Sequence, residues 1–231
     1  ETREWILGAL YLPVFLFFLN FAILAYFPAL GFPLTEPRNY FFANLLYMTV
    51  NFAVMLLIFR RTLWQSLREF EGKMLLSVLI GFGMCYGANL VLTTAYTVLD
   101  IMPENYNQEA VNSLLGGYPL AMTLCTVVLA PLAEECLFRG VLFAPLARRC
   151  LPAAYALSMF LFAGMHVFQF LGSMTAANTI LCLSLYLPAS FSLCWVYQKT
   201  GNIWACIFLH MFINFQSVLA SLLRSLMQAF L

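Results

Sequence analysis

The chain has 231 residues, of which 63% are hydrophobic and 9% charged, and a net charge of +1; soluble domains carry about 25% charged residues. That composition excludes a soluble enzyme, and the lack of a basic field excludes a nucleic-acid partner. Its seven cysteines form no CxxC pair and nearly all lie in apolar runs, so they read as small buried side chains, not as a disulfide framework or thiolate metal site.

Taken in order, apolar runs cover about 5–27, 40–59, 74–98, 119–145, 152–171, 176–198 and 202–219. Each has roughly the 20 residues that a bilayer-spanning helix needs, and the alternating ten-residue segments of a membrane barrel are missing. The first run is too long for the apolar region of a cleavable signal peptide. We therefore expect an all-α polytopic transmembrane helical bundle of seven to eight spans, with residues 1–231 forming a single membrane domain. Between the second and third runs, Leu63, Leu67, Phe70 and Met74 recur at helical spacing among charges, which suits either a short interfacial helix or a solvated connection. Residues 100–119 read as a long polar loop in which Gly116 and Gly117 are a candidate hinge. The apolar tail from Ala220 to Leu231 either extends the last span, lies along the interface or contributes to an eighth.

Basic residues set orientation. Those at 60–73, at 148–149 and at 199 share one side with Arg3, whereas Arg38 alone falls in a loop on the other. The amino terminus is therefore expected inside, and the 100–119 segment outside.

Ionisable side chains at bilayer depth are costly and mark functional sites. Here they form three patterns on three spans: EECLFR (Glu134–Arg139), FAGMH (Phe162–His166) and HMFIN (His210–Asn214). Glu135 precedes Arg139 by one helical turn, the favourable order for an ion pair. Glu134 projects about 100° away and stays free for another partner. Counted from the inner ends of their helices at about 1.5 Å per residue, Glu134, His166 and Asn214 each lie about 21 Å deep, and His210 about 15 Å. Pro131 removes the helical donor of the Val127 carbonyl close to this level. The set offers a carboxylate to activate water, an imidazole to assist it, and an imidazole and amide to stabilise an oxyanion. Neither Ser158, Ser190 nor Cys136 is placed beside a base as a nucleophile.

EExxxR, FxxxH and HxxxN, in this order on separate membrane helices, resemble the CPBP family of intramembrane proteases, which includes type II CAAX prenyl endopeptidases and bacterial Abi or bacteriocin-processing proteins. The resemblance covers about 112–216, the expected protease core. It implies that Glu134 and His166 activate the hydrolytic water while His210 and Asn214 face the scissile carbonyl oxygen. Glu135 and Arg139 then support the site together with Phe162. No cofactor is favoured, although zinc held by Glu134, His166 and His210 is the alternative. The expected activity is an intramembrane endopeptidase acting on a membrane-associated or lipidated peptide or protein, surrounded by lipid, in a bacterial cytoplasmic membrane. Two other functions fit the composition: a non-catalytic peptide-binding or bacteriocin-immunity protein, and a proton-coupled transporter using the carboxylate and histidines as a relay.

Overall fold

The computed structural model describes residues 2–229, and those residues form helices and short connections. In chain order they are α1 (Thr2–Ala29), α2 (Pro37–Ile58), α3 (Arg60–Arg68), α4 (Met74–Val98), α5 (Tyr106–Gly117), α6 (Pro119–Ala147), α7 (Leu151–Ser173), α8 (Ala176–Thr200) and α9 (Ile203–Ala229). Seven of them, all except α3 and α5, are long and apolar enough to cross a membrane. The chain is a polytopic, all-α integral membrane protein. Its packing is inverted relative to a soluble domain: Phe21 and Leu120 are 73% and 87% exposed, whereas Glu135 and Arg139 are wholly buried. An apolar exterior of that extent requires lipid around it.

The two ends of the bundle differ in what closes them. At one end, the Glu4 carboxylate of α1 accepts the main-chain N–H groups of Arg61 and Thr62 at 3.0 and 3.2 Å and the Thr62 hydroxyl. These are otherwise unpaired donors at the start of α3. Asn202 Nδ2 donates to Ser66 O at 2.6 Å, and Trp204 Nε1 to Leu63 O at 2.7 Å. The segment after α2 is thus a helix, shorter than its apolar spacing suggests, whose inner face packs on α1 and α9. Along the way α1 comes so near α6 that a Cβ at Gly8 would lie 2.5 Å from Val141 Cγ2.

At the opposite end, the expected polar loop is largely a helix. Asn105 caps α5 by accepting the Gln108 N–H at 3.1 Å, and Leu114 and Leu115 bury themselves against Phe41, Met122 and Val218. Gly116 and Gly117 close α5, and Tyr118 alone separates them from Pro119, which opens α6. The tail also resolves: α9 runs unbroken to Ala229, so the described part of it extends the seventh span. Phe230 and Leu231 lie outside the described residues.

Replacing Glu4 by Ala strands the α3 donors. Loss of a helix cap typically costs about 0.5–2 kcal/mol, so Glu4→Ala should lower the melting temperature of the purified protein; an unchanged melting temperature would show that the cap does not hold α3 to α1.

Candidate active site

The site grows out of an irregular α6. Its residues Ala130–Glu135 form an α-helical turn between two wider stretches, Cys125–Leu129 and Cys136–Phe143, where the main chain bonds five residues back. Such wide turns change the rotational phase of all that follows and concentrate at functional sites. The first one gives the Ala130 N–H to Cys125 O, and Pro131 has no N–H to offer the next carbonyl, Thr126. Asn214 Nδ2 donates to Thr126 O at 2.8 Å instead. The carbonyl left open is therefore one residue before the Val127 expected from regular helix geometry, and a side chain from α9 fills it.

Behind this turn lies a charged knot. Glu135 Oε1 accepts Arg139 Nη1 at 3.2 Å and His210 Nδ1 at 2.8 Å. Its Oε2 meets Arg139 Nε at 3.1 Å as an ionic contact without hydrogen-bond alignment. Arg139 Nη2 crosses to α8, donating to Ser190 O at 3.1 Å and Oγ at 3.3 Å. The guanidinium carbon lies 5.1 Å from the Phe162 ring centroid, within cation–π range. Phe162 also touches both imidazoles, with centroids 4.9 Å from His166 and 5.5 Å from His210. Glu135 is thus not committed to Arg139 alone, as its spacing suggested; it also orients His210.

With Nδ1–H spent on Glu135, His210 turns Nε2 toward Glu134 Oε2, 3.9 Å away. That distance exceeds a hydrogen bond, so the two groups face one another without a direct bond. Glu134 Oε2 is buried and has no hydrogen-bond partner among the described residues. An unpaired buried carboxylate oxygen is expensive unless water or a ligand supplies the bond.

Glu134 forms part of the wall of a cavity of about 530 Å³, together with His166 and Asn214. The three residues placed at one depth by helix counting therefore share a chamber. His210 is not on its wall; it sits behind Glu134. Among the described residues, Glu134 is the one carboxylate and His166 the one imidazole on that wall. His166 Nδ1 pairs with Phe162 O at 2.8 Å; a carbonyl only accepts, so the ring carries its proton there and presents Nε2 as a lone pair when neutral. Amides from Asn20, Asn44, Asn107 and Gln108 line the chamber together with apolar side chains such as Phe17, Phe21 and Met165. Sequence reading missed these amides and Tyr186, because single polar residues in otherwise apolar helices carry no pattern of their own.

Among the described residues no three His, Cys, Asp or Glu side chains lie together as a ligand group for a metal ion; Nδ1 of each imidazole is engaged, by Phe162 O and by Glu135, and Nε2 is left as the nitrogen a ligand would use.

Removing Arg139 leaves Glu135 buried with His210 as its sole partner. Breaking a buried pair costs about 3–5 kcal/mol, so Arg139→Ala should lower the melting temperature sharply; equal melting temperatures would show that the knot does not hold the bundle.

Residues 116–216 match the family described as type II CAAX prenyl endopeptidase Rce1-like. A curated relative from Bacillus subtilis (strain 168), named "Putative membrane peptidase YdiL", is 28% identical over 166 residues. That alignment covers 70% of this chain and 64% of the relative, so less than two thirds of the relative's length is matched. No solved structure matches the chain. The resemblance read from the three motifs is borne out as a resemblance: residues 116–216, which hold all three motifs, match the Rce1-like family of type II CAAX prenyl endopeptidases.

Proposed function

We propose that the protein is an intramembrane endopeptidase that hydrolyses a membrane-associated peptide or protein with water activated at Glu134. The observation that carries this reading is the buried, unpartnered Glu134 Oε2 on the wall of a chamber large enough for a peptide segment. Glu134 takes a proton from water as the water oxygen adds to the scissile carbonyl carbon, and returns it to the amide nitrogen as the C–N bond breaks. His166 offers Nε2 to the same chamber and assists. Asn214 uses one amide hydrogen on Thr126 O and retains the second for the oxyanion. His210, which the family resemblance assigns to the oxyanion, acts in this conformation through Glu134: Glu135 fixes its ring, and its Nε2 faces the Glu134 carboxylate at 3.9 Å.

A covalent route finds no support in the aliphatic hydroxyls of the wall. Thr126 Oγ1 has no hydrogen-bond partner and Ser217 Oγ bonds to Gln108, so neither is paired with a base. The reaction is proposed without a resident ion: Glu134, His166 and His210 do not form one ligand group among the described residues, and a carboxylate with an imidazole can activate water by itself. The basic end of the bundle, bearing α3 and the α6–α7 and α8–α9 connections, is placed inside the cell and α5 outside, following the bias of basic residues.

Each part has its own measurement. Membrane peptides compared between cells carrying wild type and Glu134→Gln should reveal the substrate as a species that accumulates in the variant. On that substrate Glu134→Gln should reduce turnover about 10²- to 10⁴-fold with an unchanged melting temperature; undiminished cleavage would remove the mechanism. Prolonged chelation should leave the activity intact, and one zinc per chain whose removal abolishes turnover and whose return restores it would overturn the ion-free reading. Orientation can be read from a native reporter: Cys150 is exposed at the basic end while the other cysteines are buried. A membrane-impermeant thiol reagent should modify it in inverted vesicles and not in intact cells; the reverse would invert the topology.

A further inference from the structure

His166 is held along one edge only, by the bond from Nδ1 to Phe162 O. Its face is held by something else. Tyr186 of α8 stacks on the imidazole, with centroids 4.4 Å apart and planes at 21°. The tyrosine hydroxyl is itself clamped by α5 and its cap: it donates to Asn105 Oδ1 at 3.0 Å and accepts from Asn107 Nδ2 at 3.2 Å. Asn105 is the residue that caps α5, and Asn107, Gln108 and Val111 of α5 form part of the chamber wall. The segment is pinned a second time through Asn178, which accepts the Glu104 N–H at 2.9 Å and donates to Glu104 O at 3.0 Å.

Resting on the proposed role of His166, we infer that Tyr186 is a positioning residue that couples the docked state of α5 to the orientation of that imidazole. A peptide entering from the α5 end displaces part of the chamber wall. While α5 is away, the Tyr186 hydroxyl loses both amides, the tyrosine ring is free to swing, and the face of His166 is unsupported. When α5 settles on the bound segment, the clamp re-forms and the imidazole returns to the plane in which Nε2 faces the chamber. The docked α5, with both clamp bonds made, thereby holds the imidazole in that plane through one aromatic side chain. Tyr186 forms part of the chamber wall, so a direct substrate contact is the competing role, and kinetics separates the two.

The chain has only two histidines, so the full-length protein labelled with ¹⁵N-histidine gives two sets of imidazole resonances, assigned with His166→Ala. Tyr186→Phe keeps the stacking ring and deletes both clamps; Asn107→Ala deletes one clamp and spares the Asn105 cap. Each is expected to move the His166 resonances while leaving those of His210 in place. On the substrate found for the wild type, each should lower kcat on the order of tenfold, the scale of a lost hydrogen bond, with KM within about twofold of wild type. The double variant should lose no more than the worse single one, as residues acting through one contact do. Unmoved His166 resonances, a raised KM with intact kcat, or losses that multiply would each overturn the coupling. Should the wild type cleave nothing, the proposed activity fails, and the resonances still decide whether Tyr186 orients His166.

Discussion

The buried pair of Glu135 and Arg139 is the constraint around which this bundle is built. Two opposite charges removed from water cost several kcal/mol each, and their attraction repays that only when geometry and hydrogen bonds are nearly complete. Here the completion comes from three other helices. Ser190 of α8 takes Nη2, His210 of α9 takes the remaining demand of Glu135 Oε1, and Phe162 of α7 lays its ring under the guanidinium. The pair therefore cannot form until α6, α7, α8 and α9 are in register. Once formed, it places His210 directly behind Glu134. The stability of the bundle and the geometry of the candidate site are joined through one carboxylate, which orients a histidine on one side and pairs with an arginine on the other.

The chamber in front of Glu134 follows from a second constraint, that main-chain polar groups in a membrane must find partners. Pro131 and the wide turn before it leave Thr126 O open, and Asn214 answers from α9. Irregular backbone of this kind is tolerated inside a bilayer only where protein or a wet cavity surrounds it, and the chamber wall includes both Thr126 and Asn214. Exposed apolar side chains of α1, Phe17 and Phe21 among them, border the same space as the amides of Asn20, Asn44, Asn107 and Gln108, so the chamber offers both apolar surface and hydrogen-bonding groups.

Much of this was legible in the chain itself, for identifiable reasons. Bilayer thickness dictates span length, so the seven spans stand out as apolar runs, and fixed rise per residue puts Glu134, His166 and Asn214 at one depth. Helical phase alone could pair Glu135 with Arg139. What failed was everything that depends on departure from ideal helices or on contacts distant in sequence. The wide turns of α6 shift the orphaned carbonyl from Val127 to Thr126. The bond from Glu135 to His210 spans 75 positions and leaves no local trace, so Glu135 looked occupied by Arg139. Residues 100–119 read as a loop because polar residues and the Gly116–Gly117 pair break up the apolar run, although Asn105 three residues before Gln108, and Val111, Leu114 and Leu115 behind it, form a capped, amphipathic turn pattern. Tyr186 had no signal at all, since its importance lies in what stacks on it.

The central claim is that water, activated at Glu134, attacks the peptide directly, with no side chain taking the acyl group. Partitioning with a strong added nucleophile tests this most directly. When the substrate is cleaved in the presence of hydroxylamine, direct attack by water yields only the free carboxylate on the new carboxyl terminus. Accumulation of the hydroxamate, in proportion to hydroxylamine, would reveal a covalent acyl-enzyme and contradict the account.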